Sequence, residues 1–282
     1  MRVPVILLNY NSSFDCRKCI SYLKRQQGIE LEIIIVDNCS QDDDCNEVKR
    51  LCQEQSCTFI QASENLGYNA GNNIGLRYAS SRNYEYALIA NPDMEFPQHN
   101  YVDSLLFIMN EKREVAVCGS NIISPDGMRQ SPKRFTTYYE ELLWPFQSIW
   151  RKLSKKHLIL DAQNQYCDIL MGSCILVRMD FIEKIGYFDE NVFLYCEEVI
   201  LGKQVKDMGM KMYYFNDVTA VHAHIPSRKG SFVKRHDIYW KSRWYYLTNY
   251  SSYSHSQMIL LYLSKKIHYI FKRLQFLICG IK

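Results

Sequence analysis

Uninterrupted apolar runs alternate with amphipathic stretches along the first 120 residues. Segments 3–8, 32–36, 57–61, 86–90 and 115–118 read as strands. Segments 14–25, 42–55, 69–80 and 101–112 read as helices, with Ser12 or Ser13 placed to cap the first. Strands of continuous apolar character separated by helices predict an α/β fold built on a parallel sheet covered on both faces. In such sheets ligands bind beyond the carboxyl ends of the strands, so the residues following each strand carry the chemical information.

The pattern changes after residue 120. Ser124-Pro125-Asp126-Gly127 is a turn signal, and 135–165 is aromatic and aperiodic, which reads as a variable insertion or lid. Regular structure is expected again at 168–177, near 180–185, over 197–208, and in strands 211–215 and 219–222. No internal repeat or low-complexity linker interrupts the chain. It divides into one domain over 1–235, with halves 1–120 and 121–235, and a helical tail over 236–282. In the tail Lys265, His268, Lys272 and Gln275 step by three and four along one face. Ile259, Leu263, Ile267, Ile270, Leu274 and Leu277 step along another. Such a helix either lies in a membrane interface or packs on the domain or on a dimer partner.

Composition narrows the classes. Of 282 residues 47% are apolar and 23% charged, which excludes disorder, collagen and coiled coil. The longest apolar run spans residues 258–263, far short of the roughly 20 needed to cross a bilayer. Eleven scattered cysteines argue against a secreted disulfide framework, and a strand pattern stands where a basic signal sequence would. A reducing cytosol is the expected compartment. The net charge of +4 conceals a split: eleven bases and one acid from Pro226 onward (+10), against 23 bases and 29 acids before it (−6). A basic tail on a mildly acidic body suits an anionic surface or plain solvation. No nucleic-acid partner is expected.

Four strand ends present polar residues to one region: Asn9-Tyr10-Asn11-Ser12, Val36-Asp37-Asn38, the Asn/Gly-rich stretch Glu64-Asn65-Leu66-Gly67-Tyr68 with Gly71-Asn72-Asn73, and Asn91-Pro92-Asp93. An aspartate ending an apolar strand accepts from a base N–H or a ribose hydroxyl. Backbone N–H groups opening a helix suit phosphate or sugar oxygens. Asp93 stands where a carboxylate could hold a divalent cation beside a diphosphate. Taken singly, each motif is equally a turn or helix cap. Met171-Gly172-Ser173 breaks an apolar run with two small residues, allowing close approach of a ligand backbone. Glu197-Glu198 is either a general base with its neighbour or a helix-start preference, and His222 a metal ligand or a core histidine. The dinucleotide fingerprint fails, because residues 9–13 contain no glycine. The P-loop pattern is absent, and Cys16-Arg17-Lys18-Cys19 has no partner pair for zinc.

In this order, these motifs together with Phe188-Asp189-Glu190, Tyr195-Cys196-Glu197-Glu198 and Val221-His222 resemble the family 2 glycosyltransferases, and most of all their bacterial rhamnosyltransferase-like branch. The likeness runs from about residue 3 to 250. It implies a GT-A fold with a mostly parallel central sheet, a nucleotide-sugar donor, a divalent cation (Mg or Mn) and inversion at the anomeric carbon. It makes 1–120 the nucleotide-binding half and 121–235 the acceptor-side half. By resemblance Asp37 holds the nucleobase or ribose, while Asn9, Tyr10, Asn11, Asn38, Asn91, Gly172 and the loop with Asn65, Gly67 and Asn72 line the nucleotide site. Asp93 takes the last acid of the Asp-x-Asp metal motif, with Asn91 at its first position, and His222 and Ser227 fall at the diphosphate and metal. Glu198 stands at the catalytic base with Glu197 beside it.

Two departures stand out. The family pair is usually Glu-Asp, so Glu198 reaches one methylene further, and Ile200 replaces a third acid. A processive synthase would carry Gln-x-x-Arg-Trp and membrane spans, but Trp240 stands where Gln should precede Arg243-Trp244. A sugar nucleotidyltransferase needs a glycine- and basic-rich loop after the first strand, which is missing. A non-catalytic nucleotide- or carbohydrate-binding relative is the third alternative. The resemblance tilts the donor toward dTDP-rhamnose, with UDP-galactose, UDP-galactofuranose or UDP-glucose open. The acceptor it implies is a polyprenyl-diphosphate-linked saccharide of capsule or O-antigen assembly. The enzyme is then peripheral on the anionic inner face of a bacterial plasma membrane.

Overall fold

The computed structural model describes residues 1–146, 158–223 and 231–278. Its strands are β1 (Arg2–Asn9), β2 (Glu30–Asp37), β3 (Thr58–Gln61), β4 (Tyr86–Ala90), β5 (Met94–Glu95), β6 (Val115–Ile123), β7 (Gln165–Cys167), β8 (Cys174–Arg178) and β9 (Lys211–His222). Its helices are α1 (Ser13–Leu23), α2 (Asp42–Gln55), α3 (Gly67–Ser81), α4 (Tyr101–Glu111), α5 (Tyr138–Leu142), α6 (Met179–Lys184), α7 (Glu197–Asp207), α8 (Phe232–Asn249) and α9 (His255–Ile278).

All nine strands join one sheet in the order β3-β2-β1-β4-β8-β6-β9-β5, with β7 beside β9. The 3-2-1-4 half is parallel, pairing Asn9 with Asp37 and Leu7 with Ala90. Because β1 lies between β2 and β4, the chain leaves it in both directions, and a crevice opens beyond the strand ends. Past β4 the sheet is mixed: β8 runs antiparallel to β4 and β6, while β6 and β9 are parallel.

Alternation along the strands feeds two cores. Val3, Val5 and Leu7 of β1 pack with α1, α2 and α4, while Ile6 packs on the other face with α3, α6 and α7. Segments 211–215 and 219–222 are one strand. Residues 216–218 are left without partners at a shift in register, where Asn164 Oδ1 accepts from Asn216 N–H and its Nδ2 donates to Asp217. The expected serine cap of α1 is also replaced: Ser12 Oγ donates back to Asn9, and Asp44 of α2 accepts the Ser13 N–H.

The tail is a pair of helices docked on the domain. Tyr246, Leu247 and Leu261 form a third core with Val192, Cys196, Val199 and Ile200. The position of the lost third acid is therefore filled by apolar packing, with Ile200 1% exposed. Lys265, on the basic face, is buried at 7% exposure and paired with Glu141. The opposite face, with Ile259, Leu263, Ile267, Ile270 and Leu274 each about half exposed or more, meets solvent. Among the described residues no helix is long and apolar enough to cross a membrane.

Candidate active site

A cavity of ≈ 350 Å³ opens beyond β1, β2 and β4. Tyr10 follows β1, Asn38 follows β2, Asn65 and Gly67 open α3, and Asn91 and Asp93 follow β4; all six line it. Asn38 ties the wall together, donating through Nδ2 to Asn65 Oδ1 and Gly67 O and accepting from Leu66 N–H. Gly67 has φ +82°, and an added Cβ would stand 2.3 Å from the Phe193 carbonyl oxygen, which accepts the Tyr68 N–H. Only glycine permits that approach, which joins the α3 loop to the segment leading into α7.

Three other candidates lie buried behind this wall, and Asn11 lies exposed beside it. Asp37 is fully buried, accepting from Asn9 Nδ2 at 2.8 Å and from Ser40 N–H at 3.1 Å. Asn9 is equally buried and also donates to Asp44. These residues position the loop after β2 and are not contact groups of the cavity. Asn11 is a turn residue at φ 53°, its Oδ1 accepting from Gln41 N–H. Asn72 is fully buried and donates to Tyr68 O. The α3 asparagines serve its neighbours: Asn73 exchanges bonds with the backbone of Phe188, and Asn69 donates to Asp189 O. Asp189 in turn accepts from Tyr245 and Tyr250, latching the tail. Ser227 lies outside the described residues.

His222 ends β9 opposite Met94, which brings its Nε2 to 3.3 Å from Asp93 Oδ1. The ring's Nδ1 faces Gln130 Oε1 at 3.1 Å. An imidazole nitrogen and a carboxylate oxygen at this spacing form a mixed N/O pair that a proton or a divalent cation can bridge. Among the described residues no group of three or more His, Cys, Asp and Glu could hold a metal, and Asp93 and His222 stand there as a pair. Two protein ligands completed by diphosphate oxygens is an arrangement that Mg or Mn accepts.

The acids of α7 lie in an adjoining recess. Tyr68 borders both spaces and donates to Gly172 O at 2.7 Å. Asn91 N–H donates to Ser173 O at 2.8 Å, so the turn carrying Asp93 starts against the Gly172-Ser173 backbone. Glu198 Oε1 faces the Gly172 N–H at 3.5 Å, and a Cβ on Gly172 would meet its Cγ at 3.3 Å. Burial, and then the Glu198 charge, push Glu197 up to about 8. Two neighbouring carboxylates do not both ionise readily, so near neutrality Glu197 keeps its proton beside Glu198.

The turn that aims them is strained. Tyr195 and Cys196 both adopt left-handed backbone at φ 70° and 67°, which a non-glycine residue holds only when its surroundings enforce it. Here Ser242 of α8 donates to Leu194 O at 2.7 Å, Cys196 is buried in the third core, and the Tyr195 ring meets Tyr239. Sequence reasoning did not assign this bracing role to the tail, because its partners are some 45 residues apart. It also left Tyr68, Gln130 and Glu141 without roles. Tyr68 was visible in the Leu-Gly-Tyr motif, whereas nothing local distinguishes the other two.

Comparison with known proteins agrees with this geometry. Residues 5–186 match the family described as Glycosyl transferase family 2. The chain is 25% identical over 258 residues to the low-salt glycan biosynthesis hexosyltransferase Agl10 of Haloferax volcanii, covering 90% of this chain and 77% of that one. It is 23% identical over 274 residues to the N-acetylglucosaminyl-diphospho-decaprenol L-rhamnosyltransferase of Mycobacterium tuberculosis, covering 86% and 88%. The fold is similar to that of the mannosyltransferase PcManGT from Pyrobaculum calidifontis in complex with GDP-Man and Mn2+, at TM-score 0.61 and 17% identity over 93% of this chain and 68% of that one. With the strand-end cavity and the acidic entry to α7 in place, the chain belongs to glycosyl transferase family 2 and is a glycosyltransferase.

Proposed function

We propose that the protein transfers rhamnose from dTDP-rhamnose, with inversion, to a hydroxyl of a polyprenyl-diphosphate-linked saccharide in bacterial surface-polysaccharide synthesis. The observation that carries this reading is the placement of the Asp93–His222 pair and Glu198 on either side of the Gly172-Ser173 backbone. Asp93 and His222 would hold a divalent cation, which supplies positive charge to the departing diphosphate. Asn38, Asn65 and the Gly67 loop shape the nucleotide end of the cavity, supported from behind by Asn9, Asp37 and Asn72. Glu198 removes the proton from the acceptor hydroxyl as it attacks the far face of the sugar. The residues up to 120 act as the nucleotide half, and 121–235 as the acceptor half. Support for a lipid-linked acceptor comes from the decaprenol-linked substrate named for the mycobacterial relative, and from the outward apolar face of α9.

The test is a thermal-shift panel of dTDP-rhamnose, UDP-galactose, UDP-galactofuranose, UDP-glucose and GDP-mannose, each with Mg or Mn. Stabilisation by dTDP-rhamnose, with release of dTDP when acceptor is added, is expected. Stabilisation by a UDP-hexose alone would reassign the donor, and a flat panel with both cations would remove the nucleotide-sugar reading.

A further inference from the structure

Away from the donor cavity, α5, α8 and α9 border a second space of ≈ 520 Å³ that the chemistry above does not use. Cations and aromatic rings share its walls: Arg243, Lys265 and Lys272 stand with Trp144, Tyr239 and Trp240. Glu141 is the one carboxylate among the described lining residues, and it pairs with both Arg243 and Lys265. Three cations against one carboxylate leave two positive charges in surplus, which is what a diphosphate diester would neutralise. His268 completes the wall, stacked on Trp144 with ring centroids 3.7 Å apart. Its Nδ1 is buried and makes no hydrogen bond to any described residue. The His268 ring thus lines the cationic space beside Lys265 and Lys272 with one nitrogen unpartnered among the described residues.

The position of the space supports the same ligand. Tyr239 on its wall meets Tyr195 with centroids 6.0 Å apart, and Tyr195 precedes Glu197 by two residues. One ring pair therefore separates this space from the turn that aims the base. Beyond it, α9 carries the exposed apolar row of Ile259, Leu263, Ile267 and Ile270.

We propose that this cavity seats the diphosphate of the lipid-linked acceptor, with Arg243, Lys265, Lys272 and His268 as its polar contacts. Trp144, Trp240 and Tyr239 pack against the first sugar, and the apolar face of α9 follows the polyprenyl chain into the membrane surface. The proposal rests on the glycosyl-transfer reading and specifies where its acceptor is gripped.

The test uses the full chain with EDTA present, so that no cation supports binding at Asp93 and His222. The probe is farnesyl diphosphate, with inorganic pyrophosphate alongside. The reporter is the His268 ring C–H resonance, assigned by its loss in His268→Gln. Farnesyl diphosphate is expected to shift that resonance saturably, with pyrophosphate about tenfold weaker or worse because it buries no chain. Lys272→Glu and Lys272→Met are expected to weaken farnesyl diphosphate by about tenfold, the size of a charge-assisted contact. Equal affinity for pyrophosphate would assign the cavity to free phosphates and overturn the proposal. An unmoved His268 resonance, or Lys272 variants that bind like the parent, would overturn it too. The same samples, given MgCl2 and nucleotide sugars, separate the two readings. Thermal stabilisation there with a silent His268 sinks the cavity alone, whereas no stabilisation sinks glycosyl transfer.

Discussion

Two pairs of adjacent glutamates open two helices of this protein and live in opposite electrostatic surroundings. Glu140 and Glu141, on α5, are 2% and 3% exposed, yet every charge there is answered. Arg134 donates to both oxygens of Glu140 at 2.8 Å, and Thr137 completes a capping box with it. Burial alone would raise Glu141, but Arg243 and Lys265 outweigh it and hold the group at about 2. Glu197 and Glu198, on α7, have no paired cation among the described residues, and burial drives Glu197 the other way. A buried acid supplied with cations is a fastening. A half-buried acid pair left without them pushes one member up, so that Glu197 keeps its proton beside Glu198.

The contrast is broken most directly by exchanging one acid in each pair for its amide. Glu198→Gln should lower turnover by about 10²–10⁴-fold, the span typical for loss of a general base. Its melting temperature should hold or rise, because a half-buried carboxylate gives way to a neutral amide of the same shape. Glu141→Gln should instead cost about 3–5 kcal/mol of stability, since Arg243 and Lys265 remain buried without the carboxylate they share. Turnover and urea unfolding of both variants check this. A Glu198→Gln protein that is fully active, or a Glu141→Gln protein as stable as its parent, erases the distinction.

Much of the donor half could be read in advance because its information is local. Continuous apolar strands, polar residues at four strand ends and a helix after each are written within 40-residue windows, and six of the residues so chosen line the cavity. What escaped was set by distant partners. Asp37 reads as a contact residue, yet it is fully buried, with Asn9 and Ser40 each donating to one of its oxygens. Glu141 sits in a stretch without periodicity, and its cations come from more than 100 residues away. Lys265 belongs to a basic helical face that looks solvated, yet burial leaves it at Glu141. Ile200 looked like a lost acid, but it packs where α7 meets the tail.

A smaller effect tests whether the α5 cluster is only a fastening. Replacing Glu141 and Arg243 together by methionine removes a charge and its main partner at similar volume. The double variant should recover about 1–3 kcal/mol of what Glu141→Gln loses, because it leaves one uncompensated cation, Lys265, where Glu141→Gln leaves two. Recovery would be read from the urea midpoint at constant slope. A double variant less stable than the sum of the single ones would mean that the charges themselves, beyond their mutual compensation, hold the tail in place.

The finest distinction is the sign of the pH dependence. Glu197 sits at about 8 in the folded protein against an ordinary 4.5, so between these values the folded state binds a proton that the unfolded chain has released. Its contribution is complete below about pH 4.5 and declines as pH rises toward 8, by at most about 1.4 kcal/mol per pH unit for one proton. Glu141, depressed to about 2, does the reverse: its contribution is present above about 4.5 and is lost as pH falls through 2. Glu197→Gln should therefore flatten the decline of stability between about pH 5 and 8 and leave the acid limb unchanged. Glu141→Gln should weaken the acid limb alone. Urea unfolding at half-unit pH intervals resolves the two slopes. If Glu197→Gln left the neutral slope as steep as in the parent, the retained proton would belong to a group other than Glu197, and the contrast between the two glutamate pairs would lose its electrostatic basis.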